Sequence, residues 1–163
     1  MLLAACERAS GGPPAPQPQV AAAPHELVAT LARTACYGDC PVYKLAIYRD
    51  GVVEYTGERY VELRGPAIGH VTAAQLAALD RMFADARYFE LADRYLSHDM
   101  TDMSSATTTY QLGARAKRIE HYSGDTSTPQ ALERLEDGID RLVDVDHWIG
   151  SAEAREQHAR EWE

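Results

Sequence analysis

The chain has 163 residues, of which 45% are hydrophobic and 25% are charged, and its formal net charge is -9. This length is sufficient for one domain with its own hydrophobic core. The acidic balance argues against a nucleic-acid partner, because phosphate binding requires a cationic surface and the lysines and arginines are scattered. The sequence has no run of about 18 apolar residues, so no membrane-spanning helix is predicted in it.

The N-terminal residues contain a candidate lipidation site. Cys6 follows two leucines and two alanines, which resembles the lipobox of bacterial lipoproteins, where such a cysteine is acylated. Residues 10–24 are rich in Gly, Pro, Ala and Gln and are predicted to form an extended tether. A signal peptide needs an apolar region of about 7–15 residues, but only five residues precede Cys6, so whether the true start lies upstream of Met1 is left open. The alternative is a chance Ala-Ala-Cys sequence in an alanine-rich tail.

Folding is predicted to begin near residue 26 with short strands. Alternating apolar residues mark three of them, at Leu27 to Ala32, Tyr43 to Ile47 and Val53 to Tyr55. Pairing Ile47 with Val53 keeps one face of the second and third strands apolar, which requires a three-residue loop with Gly51 at positive φ. A further strand is predicted from Arg59 to Arg64, ending at Gly65-Pro66.

Two helices are predicted from their capping signals and apolar stripes. Thr72 is suited to be the N-cap of the first helix, and Gln75 occupies the capping-box position three residues later. This helix is expected to end near Ala86. The second helix is predicted to begin at Thr128-Pro129 and to extend to Ile149.

The elements together predict an α+β fold for residues 26–150. A second hairpin is expected over residues 107–122, with its turn at Gly113 to Arg115. The predicted order is β-β-β-(β)-α-β-β-α, an antiparallel sheet of two hairpins plus short strands with both helices packed on one face. Residues 1–25 are assigned to the lipobox-like N-terminus and tether, and residues 151–163 to a charged C-terminal tail.

Cys36 and Cys40 lie just before the first hairpin, and three interpretations of the pair stay open. In an oxidising compartment we favour a structural disulfide, which would contribute about 2 kcal/mol for so short a ring. A redox-active pair is the second interpretation, although three intervening residues differ from the two of thioredoxin-like motifs. Metal binding is the third, and it requires further ligands from His98, Asp99 or Asp102.

The cysteine segment also carries a family resemblance. From Arg33 to Tyr43 it reads R-x-x-C-x-G-x-C-P-x-Y, followed by an Asp-Gly hairpin and Tyr55-Thr56-Gly57. This pattern resembles a bacterial family known as a domain of unknown function, many of whose members are predicted lipoproteins or secreted proteins. The resemblance covers Leu27 to Val143 and includes the Thr101-Asp102 pair. It implies the fold and an extracytoplasmic location, but no activity.

A binding loop is predicted where the cysteine motif meets the polar loop before the second hairpin. Its candidate residues are Arg33, Tyr37, Asp39, Tyr43, Thr101 and Asp102. The structural alternative is that Asp102 caps a turn through its side chain or pairs with Arg33. We identify no catalytic residues, no metal site and no cofactor motif such as a Walker loop.

These observations favour a non-enzymatic lipoprotein of the bacterial cell envelope, facing the periplasm or the exterior. It would contact the membrane through the lipid anchor at Cys6 alone and would bind an envelope protein or the cell wall, or have a structural role. The alternative is a thiol-disulfide redox protein or enzyme that uses Cys36 and Cys40 with the Asp102 loop. The oligomeric state is not predicted.

Overall fold

The computed structural model describes residues 25–151 and 153–155. Within these residues a mixed α+β fold is built on a seven-stranded sheet. The strands are β1 (Leu27–Arg33), β2 (Val42–Tyr48), β3 (Val52–Arg59), β4 (Gly65–His70), β5 (Arg94–Tyr95), β6 (Ser105–Leu112) and β7 (Arg115–Tyr122). The helices are α1 (Ala73–Asp85), α2 (Gln130–Val143) and α3 (Asp146–Ile149). The order of strands across the sheet is β4-β3-β2-β1-β6-β7-β5.

The β2–β3 hairpin has the predicted register. Ile47 pairs with Val53, and Leu45 pairs with Tyr55. Residues 49–51 form the loop, and Gly51 has a φ of +89°. All four paired side chains are buried, so the apolar face predicted for this hairpin faces the core.

The start of α1 is also confirmed. The Gln75 backbone N–H donates to Thr72 Oγ1 at 3.2 Å, and the Thr72 backbone N–H donates to Gln75 Oε1 at 2.9 Å. This reciprocal capping box satisfies two of the backbone donors that a helix N-terminus leaves without partners. Gln75 Nε2 also donates to the Leu142 carbonyl at 2.9 Å, which links α1 to α2.

The prediction of a strand from Arg59 to Arg64 was wrong. Strand β3 continues to Arg59, residues 60–64 form the connection, and the next strand begins at Gly65-Pro66 instead of ending there. Pro66 is compatible with β4 because β4 is an edge strand, where the N–H that proline lacks is not needed by a second neighbour.

The predicted order of elements was wrong in two further places. Residues 94–95 form β5, which pairs in parallel with β7, so the sheet is not purely antiparallel. The last predicted helix is interrupted at Asp144, which has a φ of +54°, and the chain continues as α3. Within residues 27–149 there are therefore three α-helices, not the two that periodicity predicted.

Residues on one side of the sheet contact all three helices. The Tyr110 hydroxyl donates to Asp80 of α1, the Tyr43 hydroxyl donates to Asp140 of α2, and the Tyr55 ring stacks on Trp148 of α3. These three tyrosines lie on β6, β2 and β3 and are at most 3% exposed. The apolar core therefore lies between this side of the sheet and the helices.

The predicted lipidation site at Cys6 and the tether at residues 10–24 lie outside the described residues, as do residues 152 and 156–163 of the predicted tail. These assignments stay predictions. Among the residues that the structure does describe, no helix combines the length and apolar character required to cross a bilayer.

Candidate functional site

The connection between β1 and β2 is a small ring closed by a disulfide bond. Cys36 and Cys40 are bonded, with their Cα atoms 5.6 Å apart. Gly38 lies inside the ring with a φ of +136°, a conformation that residues with a Cβ atom rarely adopt. Tyr37, also in the ring, has 89% of its surface exposed.

A second loop is attached to this ring by backbone hydrogen bonds. The Tyr37 N–H donates to the Asp102 carbonyl at 3.0 Å, and the Thr34 N–H donates to the Ser105 carbonyl at 2.9 Å. In return, the Ser105 N–H donates to Thr34 Oγ1 at 2.9 Å. The cysteine motif and the Thr101-Asp102 loop are therefore neighbours, through main-chain contacts that the sequence did not specify.

The suggested pairing of Asp102 with Arg33 was wrong. Arg33, at the end of β1, donates from Nε to Asp140 at 2.8 Å and from Nη2 to Asp137 at 3.1 Å. Its Nη2 atom also lies 2.6 Å from Asp140 Oδ2. Both partners are on α2, so this cluster joins the central strand of the sheet to the helix above it. Asp102 is instead exposed, and its carboxylate accepts from the neighbouring Thr101 hydroxyl.

Tyr43 completes the cluster around Asp140, donating its hydroxyl to Asp140 Oδ1 at 2.6 Å. Burial, and then the Asp140 carboxylate, raise the pKa of Tyr43 well above its usual range. Burial acts to lower the pKa of Arg33, but the charge and hydrogen bond of Asp140, together with Tyr43 and Glu136, outweigh burial and the pKa rises. Burial raises the pKa of Asp140, while Arg33 and Tyr43 oppose that rise. At neutral pH Tyr43 is thus a hydrogen-bond donor and not a base.

A cleft of about 400 Å³ opens beside this cluster. Arg33 and Tyr43 line it from the sheet and Pro41 from the β1–β2 connection, and on the other side it is lined from α2 and its C-terminal end by Asp137, Asp140, Arg141 and Asp144. In residues 25–151 and 153–155, no group of three or more His, Cys, Asp or Glu side chains has the geometry to hold a metal ion.

The structure divides the predicted binding residues into two sets. Arg33 and Tyr43 point into the cleft, where they are largely buried. The other four residues, Tyr37, Asp39, Thr101 and Asp102, lie on the exposed surface of the two adjoining loops.

Asp137 and Asp140 were missed by the sequence reasoning. The available signal was the position of Asp140 directly after Ile139, a member of the buried stripe of α2, with Asp137 one turn earlier. Side chains three residues apart on a helix lie on the same face, so both carboxylates border the surface that meets the sheet.

The fold and this site define a small α+β domain whose first two strands are joined by a disulfide-closed loop. Residues 28–143 match the model of a family described as a domain of unknown function, DUF6438. Because the match spans more than half of its length, the chain belongs to this family, which confirms the resemblance noted in the sequence. A search of curated proteins finds no match to the chain.

Proposed function

We propose that this chain is a lipid-anchored module of the bacterial envelope that binds a partner and does not catalyse a reaction. The Cys36–Cys40 disulfide carries the proposal. Cytosolic thiols are kept reduced, whereas disulfides form and persist in periplasmic and extracellular proteins. A loop that depends on a disulfide for its closed shape is therefore suited to an extracytoplasmic location, which the lipobox-like sequence at Cys6 independently favours.

The arrangement of the cleft supports binding over catalysis. Arg33 and Tyr43 both direct polar groups to the one carboxylate of Asp140. Both carboxylate oxygens of Asp140 already accept a hydrogen bond within the protein, so neither is free to take a proton from a bound substrate. The loops at residues 34–41 and 96–104 contain no Lys or Arg, which are among the groups that activate cysteine as a thiolate.

The location can be tested by trapping the thiols in the organism that makes the protein. A membrane-permeant maleimide is added before lysis, and modified cysteines are counted by mass spectrometry with and without prior reduction. We expect Cys36 and Cys40 to react only after reduction. Two freely reactive thiols at these positions in native cells would show that the domain works in a reducing compartment and would refute the proposal.

The anchor is tested separately at Cys6. Mass spectrometry of the intact native protein should show that the mature chain begins at an acylated Cys6, and Cys6→Ser should abolish both the cleavage and the lipid mass. A mature chain that retains Met1 with an unmodified Cys6 would exclude lipidation.

Reduction distinguishes this proposal from the redox alternative. If the disulfide is a structural link, dithiothreitol should lower the free energy of unfolding by about 2 kcal/mol, as chain entropy predicts for so short a ring. The reduced protein should have no turnover with a disulfide substrate. Sustained oxidation of a dithiol substrate, with added glutathione disulfide as the terminal oxidant, that Cys36→Ser eliminates would instead identify a redox enzyme.

A further inference from the structure

We infer that the Cys36–Cys40 ring and the 96–104 loop together present a docking surface for a protein partner whose apolar pocket is bordered by lysine or arginine. We call this the Tyr37 surface, defined by Tyr37, Asp39, Met100, Asp102 and Met103. The inference rests on the proposed function and specifies the chemistry of the partner.

Three apolar side chains of the Tyr37 surface are exposed to solvent. Tyr37 is 89% exposed, Met100 48% and Met103 41%, whereas Tyr43 and Tyr55 of the same half of the sheet are nearly inaccessible. Exposed tyrosine and methionine side chains are enriched at protein interfaces, because each contributes a large contact area. A single exposed apolar residue is ordinary, but three lie here on two loops that the Tyr37–Asp102 backbone hydrogen bond joins.

The backbone of the Tyr37 surface is held in place by a covalent bond and by hydrogen bonds. Tyr37 lies within the disulfide ring, and its N–H bonds to the Asp102 carbonyl at 3.0 Å. The Met103 N–H donates to the Tyr122 hydroxyl at 3.1 Å, and the Met100 N–H donates to the Gly124 carbonyl at 3.0 Å. Because these loops are ordered before binding, a partner would lose less of its binding free energy to ordering them.

The two loops of the Tyr37 surface are acidic. The residues 34–41 and 96–104 include Asp39, Asp99 and Asp102 but no Lys or Arg, and the chain carries a net charge of -9. Exposed carboxylates on the same two loops as exposed apolar side chains are complementary to a partner that presents basic residues beside an apolar pocket, and such complementarity speeds association and excludes wrong partners. The same charge opposes contact with an anionic lipid surface, which attracts basic segments. The surface therefore suits a basic protein and not the bilayer.

The test places a photo-crosslinking amino acid, p-benzoylphenylalanine, at position 37 of the full chain in the native organism. Position 112 is the matched control, because Leu112 is also exposed and apolar but lies at the opposite end of β6. We expect one discrete protein adduct from position 37 that is absent from position 112. Mass spectrometry identifies the adduct, and the inference requires a protein with a basic surface at the crosslinked position.

Affinity for that purified protein is then measured with the full chain. Tyr37→Ala should weaken binding by about tenfold or more, as expected of an aromatic hot spot. Asp39→Asn combined with Asp102→Asn should weaken binding and reduce its sensitivity to salt. Leu112→Ala should bind like the unsubstituted chain. Near-UV circular dichroism verifies that each variant retains its fold.

Three results would overturn the inference: no adduct from position 37, equal adducts from positions 37 and 112, or an adduct to lipid. Binding of the Cys6→Ser chain to vesicles of anionic phospholipid through Tyr37 would likewise identify a membrane contact in place of a protein. The state of Cys6, Cys36 and Cys40 is measured in the same cells. An acylated, disulfide-bonded chain without a Tyr37 adduct would refute this inference alone, whereas free thiols and an unmodified Cys6 would refute the proposed function.

Discussion

His121 on β7 and Glu136 on α2 form a pair in the protein interior, with Nδ1 of the imidazole 2.8 Å from Oε2 of the carboxylate. Glu136 is 1% exposed and His121 is 4% exposed. The other carboxylate oxygen accepts from Thr108 Oγ1 of β6 at 3.1 Å. One buried side chain of α2 therefore bonds to two neighbouring strands and determines how the helix sits on the sheet.

Glu136→Ala is expected to destabilise the domain by about 1–3 kcal/mol for each of the two buried groups that it leaves without a hydrogen-bond partner, His121 Nδ1 and Thr108 Oγ1. Within the described residues, His121 Nε2 has no hydrogen-bond partner, so Glu136 supplies the polar contact of that ring. Urea unfolding followed by circular dichroism provides the measurement. Glu133→Ala, at an exposed position of the same helix, is the control and should change stability by no more than about 0.5 kcal/mol. Equal effects of the two substitutions would show that the buried contacts do not stabilise the fold.

Tyr43→Phe should lower the free energy of unfolding by about 1.5–3 kcal/mol, because it removes a hydrogen bond to the charged Asp140. A double-mutant cycle with Asp140→Asn isolates the pairwise contribution, and we expect the two effects to be clearly non-additive. Tyr48→Phe is the matched control, since its hydroxyl bonds to Glu54 at 2.7 Å on the exposed side. That substitution should have little effect. Additive effects of the Tyr43 and Asp140 substitutions would contradict a direct contact.

Protonation of the Asp125 carboxylate is expected to lower the free energy of unfolding at acid pH. The Ser127 hydroxyl and the backbone N–H groups of Ser97 and Ser127 donate to this carboxylate and lower its pKa below the ordinary value of 3.8. Because the pKa of Asp125 is lower in the folded state than in the unfolded state, its carboxylate stabilises the fold at any pH above the unfolded-state pKa. This stabilisation is lost as the pH falls through the folded-state pKa. The free energy of unfolding, measured from about pH 5 to pH 2, should therefore depend less on pH in Asp125→Asn than in the unsubstituted protein.

Ser127→Ala provides an intermediate case for the acid transition, because it removes the hydroxyl donor and leaves the backbone donors to Asp125 in place. Its pH profile should lie between those of the unsubstituted protein and Asp125→Asn. If Asp125→Asn retains the full pH dependence, other carboxylates account for the acid sensitivity.

Gly69→Ala is expected to destabilise the edge of the sheet. A Cβ atom at Gly69 would lie 2.6 Å from Cζ2 of Trp148, whose ring stacks on Tyr55 with centroids 4.9 Å apart. The ring must shift, and overpacking of this kind costs about 1–3 kcal/mol. Tryptophan near-UV circular dichroism and urea unfolding report the change. Ile68→Val, on the exposed side of the same strand, is the control and should alter neither signal.

The sequence alone was sufficient to predict the features that are formed by residues close together in the chain. The register of the β2–β3 hairpin follows from the two-residue period of Leu45, Ile47, Val53 and Tyr55, since one choice of loop length keeps their side chains on one face. The capping box of α1 likewise depends on residues three positions apart. Few backbone arrangements are compatible with a given short-range apolar period or capping pair, so these elements were predictable.

Elements with unusual local sequence were less predictable. Gly65-Pro66 usually interrupts a strand, but the edge position of β4 permits proline there. The two-residue strand β5 is too short to show an alternating pattern of apolar residues. Its parallel pairing with β7 depends on the chain between them, which places β7 beside it.

The candidate site was determined by contacts between residues far apart in the chain. From the sequence alone, Arg33 could pair with Asp102. In the structure β1 lies beneath α2, and packing of that helix brings Asp140, which is 107 residues further along the chain, to the Arg33 guanidinium. Propensity and spacing describe interactions within a turn or two of the chain, whereas the position of a helix over a sheet is decided by burial of the whole apolar face. The sequence therefore favoured a disulfide between Cys36 and Cys40 over two other interpretations, but tertiary packing decided which residues surround that loop.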